Sequence, residues 1–136
     1  MWAGRRLPVV VAQDTTEFDF THMKGTAGFG PLNGLDRRGC FLHSLYAVSE
    51  EGLPPSLLDT AIIMRDDDTF GTAASRKELP IEEKESVRWS GGYLRTRALA
   101  GRLPQCGVFS VSDREGDIHE VFEAWRDTGG SFRCHL

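Results

Sequence analysis

Two rhythms of apolar and polar positions run along this chain, and the change from one to the other divides it. Residues 7–12 (LPVVVA) are a short apolar run rich in β-branched Val, the pattern of a buried strand. The run gives way to Gln13, Asp14, Thr15 and Thr16, where the strand is predicted to end. Gly25, Gly28, Gly30, Pro31 and Gly34 then punctuate a loop. Residues 41–48 (FLHSLYAV) read as a second strand, Ser49, Glu50, Glu51 and Gly52 as a turn, and residues 57–64 (LLDTAIIM) as a third strand. One long and one short connection suit an antiparallel meander.

The rhythm then becomes helical. Residues 65–77 are charged and Gly-containing and read as a loop or lid, and residues 81–103 follow as a helix. Glu82, Glu83 and Glu85 favour its N-terminus, and Trp89, Tyr93, Ala100 and Leu103 share one face. Gly91-Gly92 predicts a kink or break, because each Gly costs about 1 kcal/mol in a helix interior. Pro104 stops the helix, and residues 107–111 (GVFSV) form a fourth strand ending at Ser112 and Asp113. Ile118, Val121, Phe122 and Trp125 recur at i, i+3, i+4 and i+7, a helix that Gly129-Gly130 terminates. Trp89 and Trp125 are expected in the core. Residues 131–136 begin a fifth strand. The order β-β-β-α-β-α-β predicts an α/β domain over residues 1–136 with a mixed sheet. It is the order of a ribonuclease H-like fold truncated before its last helix.

Composition narrows the function. The 136 residues are 40% hydrophobic and 26% charged, the balance of a globular domain. Lys and Arg number 16 against 20 Asp and Glu, a net charge of −4, so no broad basic surface for nucleic acid is expected. Cys40, Cys106 and Cys134 are odd in number and widely spaced, giving neither a disulfide framework nor a zinc knuckle. Arg5 and Arg6 before the first apolar run mimic an export signal, but the run is short and no small-residue cleavage site follows. A soluble cytoplasmic protein without a membrane span is expected.

Asp14 follows the first predicted strand and Asp113 the fourth. If these strands are neighbours, both carboxylates converge at one sheet edge, where open α/β sheets bind ligands. Two carboxylates ~4 Å apart repel by about 4 kcal/mol at an effective dielectric of ~20. A hard divalent cation relieves that repulsion, and oxygen-only ligands select Mg²⁺ or Mn²⁺. The plainer reading is that Asp14 forms a turn and Asp113 caps the following helix.

The wording around these aspartates narrows the choice. VVVAQDTTEFDF, GPLNGLDRRGCFLHSLYAVSEEGLP, ELPIEEKESVRW and VFSVSDREGDIHEVF together resemble, in order and spacing, the insertion-sequence-four family of DDE transposases. DREGDIHE, beginning at Asp113, is the most specific element. The resemblance implies a ribonuclease H-like core that cuts and joins DNA at transposon ends with two Mg²⁺ (or Mn²⁺) ions. Asp14 and Asp113 match the first two acidic metal ligands, and so the catalytic residues, of the family's triad. The family's third ligand, a Glu in a tyrosine-arginine-glutamate-lysine string, has no counterpart before Leu136, and only thirteen residues precede Asp14.

The expectation is therefore a partial catalytic core, inactive as this chain. Its exposed apolar surface would favour homo-oligomers or association with full-length transposase. The alternatives are a non-enzymatic remnant and a ribonuclease H-type nuclease recruiting Asp117 or Asp19. Gly116 for the family's Ala reads as a mild change, and Gly91-Gly92 as drift. His22, His43, His119 and His135 lack metal-site spacing, with His119 expected on the polar side of its helix. Glu115 and the helix-start acids read as solvated. Arg37, Arg38, Arg95, Arg97 and Arg102 read as surface residues able to meet phosphates.

Overall fold

The computed structural model describes residues 7–23, 25, 27–33, 36–49, 56–67, 87–116, 118–128 and 132–134. The elements are β1 (Leu7–Asp19), β2 (Gly30–Pro31), β3 (Arg38–Ser49), β4 (Ser56–Ile63), α1 (Val87–Arg102), β5 (Cys106–Ser112), α2 (His119–Thr128) and β6 (Phe132–Cys134). The expected lid beyond Asp67, the acidic start of the first helix, the turn at Glu50 to Gly52, Asp117, Gly129-Gly130 and His135 lie outside the described residues.

The fold is mixed α/β. One sheet runs β2-β3-β1-β5-β6, and β4 also pairs with β3. β3 lies antiparallel to β1, β2 and β4. β5 is parallel to β1, and β6 to β5. The meander followed by two parallel additions across helices is the order that the change of rhythm predicts.

β1 does not end at Ala12. It pairs with β3 from Val9↔Ser49 to Asp19↔Gly39, so Asp14 stands inside the strand, opposite Ser44. The strand's period of two simply continues with polar residues on its inward side: Val11 and Gln13 are buried, whereas Asp14, Thr16 and Phe18 on the alternate positions beyond them are exposed. Reading hydrophobicity alone stops at the first polar inward position.

α1 is unbroken through Gly91-Gly92. Gly92 is buried where the helix meets the sheet, and a Cβ there would stand 2.1 Å from Gln13 Oε1. The residue that weakens the helix locally thus permits its close approach to β1. Gly91 has only Arg95 Nη1 near, at 3.6 Å.

Trp89, Tyr93 and Val121 form the core between α1 and α2, with Ile118 and Ala124 packed against it. Trp125 lies outside that core at 42% exposure, correcting the expectation, as does Phe122 at 39%. A ten-residue helix turns only part of its apolar stripe toward one neighbour, and here that part is Val121.

Candidate functional site: a carboxylate pair beside a buried histidine

The parallel register of β1 and β5 runs from Leu7↔Cys106 to Gln13↔Ser112. Asp14 and Asp113 are the next residues on the two strand lines. The 113 − 14 = 99 residues between them in sequence are bridged by the pairing of Gln13 with Ser112 just before each. Both residues are exposed.

Asp113 is fixed by the turn it begins. Its Oδ1 accepts the Glu115 N–H at 2.9 Å, and its carbonyl accepts the Gly116 N–H at 3.0 Å, closing one 3₁₀ turn over Arg114–Gly116. The plainer expectation for Asp113, a cap, is thus present as a cap of this turn. Gly116 is buried, and a Cβ there would lie 2.2 Å from Ser112 Oγ and 2.6 Å from Ser112 Cβ. Its exchange for Ala is not mild: the turn folds back on β5 too closely for a methyl group.

Asp14 is fixed from its flanks. Gln13 and Thr15 point to the opposite side of β1, and both reach His43 of β3. His43 Nε2 donates to Gln13 Oε1 at 3.3 Å, and Thr15 Oγ1 shares a hydrogen bond with His43 Nδ1 at 2.8 Å. The imidazole is 2% exposed and sits edge-on to Trp89, with ring centroids 4.8 Å apart. Burial holds its pKa down at about 4, helped by Arg88 and opposed by Asp14. A neutral imidazole donating from Nε2 accepts at Nδ1, so Thr15 is the donor there. The sequence reading missed this network, whose one signal was the alternation Val9, Val11, Gln13, Thr15, Glu17.

A cavity of about 430 Å³ is lined among others by Thr15, Glu17, Arg65, Arg88, Trp89 and Glu115. Its charges are largely matched. Glu17 pairs with Arg37 at 2.6 Å, Arg88 Nη2 lies 4.0 Å from Glu115, and the Arg65 guanidinium stacks 4.4 Å above Phe41.

Several other candidates have partners of their own. Asp19 accepts from Thr21 and Arg37, bonds that lower its pKa to about 2. Arg38 pairs with Asp67, and Arg95 with Asp59 at 2.7 Å. His119 is exposed and pairs with Glu123 at 3.1 Å, on the polar side of its helix as expected. Cys40 and Cys106 are free thiols. Among the described residues no group of three or more His, Cys, Asp or Glu is placed to hold a metal ion.

The chain is a mixed α/β protein in which Asp14, within β1, and Asp113, the residue after β5, are both exposed. No family model matches the chain, and no curated protein matches it significantly. No helix among the described residues is long and apolar enough to cross a membrane.

Proposed function

We propose that the chain is part of a ribonuclease H-like catalytic core of a DDE transposase, with Asp14 and Asp113 as ligands of a divalent cation. The observation that supports the reading is the register of β1 and β5, whose last pair, Gln13↔Ser112, immediately precedes Asp14 and Asp113. The strand order, an antiparallel meander extended by two parallel strands, supports the same fold. The transposase wording around both aspartates supplies the substrate class, DNA at transposon ends, and the three widely spaced cysteines favour a cytoplasmic setting.

The donor set fits the cation in part. Two exposed carboxylates are hard oxygen ligands suited to Mg²⁺ or Mn²⁺. The bound cation would activate water and stabilise a leaving oxygen in phosphodiester cleavage. The protein's own contribution is placement: the His43 network holds both flanks of Asp14, and the tight turn at Gly116 holds Asp113. The described residues add no third carboxylate to the pair. Misplacement by ~1 Å can cost about a hundredfold in rate, so the 136-residue chain is expected to bind the cation weakly and to leave DNA intact.

A second reading, that Asp113 merely caps a turn in a non-enzymatic protein, draws on the Glu115 N–H bond to its carboxylate. Calorimetric titration with Mn²⁺ separates the two. The catalytic reading predicts binding that Asp14→Asn and Asp113→Asn each abolish; binding unchanged in both variants would overturn it. Incubation with Mg²⁺ or Mn²⁺ and a supercoiled plasmid carrying transposon ends is expected to give no nicking. Nicking lost in both Asp variants would show that two carboxylates suffice.

A further inference from the structure

Arg88 is a charge with little to answer it. It stands in the first turn of α1, its side chain is 13% exposed, and its Nε is buried without a hydrogen-bond partner. Among the described residues its ion pair is with Glu115, whose carboxylate is 64% exposed and lies 4.0 Å from Nη2, beyond hydrogen-bond reach. A buried guanidinium short of acceptors is costly, and an oxyanion is the group that relieves it. The cavity that Arg88 lines holds a second guanidinium, that of Arg65. It is fixed by the Phe41 ring beneath it and by Asn33, whose Oδ1 accepts from Arg65 Nη1 at 2.8 Å. That bond occupies the oxygen of the Asn33 amide and leaves its N–H groups for another acceptor. Of the two acids in the lining, Glu17 is neutralised by Arg37 at 2.6 Å, and Glu115 is the exposed partner of Arg88.

We infer that this cavity binds a phosphate group, with Arg88 and Arg65 as its cationic ligands and Glu115 as the anion that phosphate displaces from Arg88. Guanidinium forks match the paired oxygen atoms of phosphate, and two of them match its two charges. The ligands come from separate parts of the chain: Asn33 follows β2, Arg65 follows β4, and Arg88 lies on α1. Pockets for small organic ligands measure about 300–1,000 Å³, and this one, at about 430 Å³, has room for the ester group that carries the phosphate. The carrier is either a free phosphate ester or a nucleic-acid strand. The site needs no metal ion, so it is independent of what Asp14 and Asp113 do.

Calorimetric titration of the chain with inorganic phosphate, with a chelator present and at low ionic strength, tests the site. The wild-type chain is expected to bind, and Arg88→Gln and Arg65→Gln to lose binding. Arg88→Lys keeps the charge but not the fork, and is expected to bind about tenfold more weakly, the worth of one hydrogen bond to a charged group. Glu115→Gln changes an exposed side chain and so tests the site without risk to the fold. It is expected to tighten binding by about fivefold, the factor that one like charge ~4 Å away is worth in water. Absence of binding in the wild-type chain would overturn the proposal, as would binding unchanged in Arg88→Gln, or unchanged or weakened in Glu115→Gln. A single-stranded oligodeoxynucleotide added to the phosphate complex separates the two carriers. Displacement of phosphate assigns the site to a nucleic-acid strand, and phosphate binding left unchanged assigns it to a free ester; either supports the site.

Discussion

β1 presents two different chemistries to its two sides within three residues. Toward α1, Gln13 and Thr15 are tied to His43 under Trp89, in a packed layer where a Cβ on Gly92 has no room. Toward the other side Asp14 is exposed beside the line of Asp113. The inward side specifies position, and the outward side offers charge. A carboxylate pair meant for a cation needs both charge and a backbone that holds it still.

The inward layer is the place where substitution should cost most. Trp89 is 2% exposed and touches both His43 and the turn at Gly116. Trp89→Ala is expected to lower unfolding free energy by about 3–5 kcal/mol in urea titration. Trp125→Ala, at a residue 42% exposed, should cost about 1 kcal/mol. Equal losses would erase the distinction between the two tryptophans.

Acid should open the same layer. The folded-state pKa of His43, about 4, lies below its ordinary value of 6.5. Between those values the unfolded chain binds the extra proton and the folded chain does not. The stability contribution is therefore complete above pH ~6.5 and is lost as pH falls toward ~4, by about 3 kcal/mol at about 1.4 kcal/mol per unit. Urea titrations across that window should show the slope, and His43→Gln should flatten it. A slope unchanged in the variant would mean that other groups carry the acid sensitivity.

Adjacent glycines sharpen the contrast further. Gly92→Ala and Gly116→Ala each force a methyl group into filled space and should destabilise by about 1–3 kcal/mol. Gly91→Ala, with nothing nearer than 3.6 Å, should stabilise α1 by up to about 1 kcal/mol. Thermal melting of the three variants checks the sign at each position.

The architecture was legible where local pattern and packing agree. The Val-rich start of β1, the strand FLHSLYAV and the i, i+3, i+4, i+7 series of α2 all announce their elements. The reading failed where tertiary contacts reassign a residue's meaning. Polar Gln13 and Thr15 end an apolar run, yet they extend β1 because His43 satisfies them from the neighbouring strand. Gly91-Gly92 resembles a defect until the sheet surface beneath Gly92 is seen. At the site, Asp14 and Asp113 were visible as positions after apolar runs. Their lateral match depends on the β1–β5 register, and the His43 network beneath Asp14 on partners 28 and 30 residues apart. Periodicity does not report such distances.

The central claim is that Asp14 and Asp113 act together on one cation. Paramagnetic broadening by substoichiometric Mn²⁺, read amide by amide in nuclear magnetic resonance spectra of the chain, tests it most directly. The account predicts one centre of broadening that takes in residues 13–15 and 112–114 at once and vanishes in both Asp14→Asn and Asp113→Asn. Broadening confined to one strand, or centred on the acidic residues of α2 and unaffected by these substitutions, would contradict it.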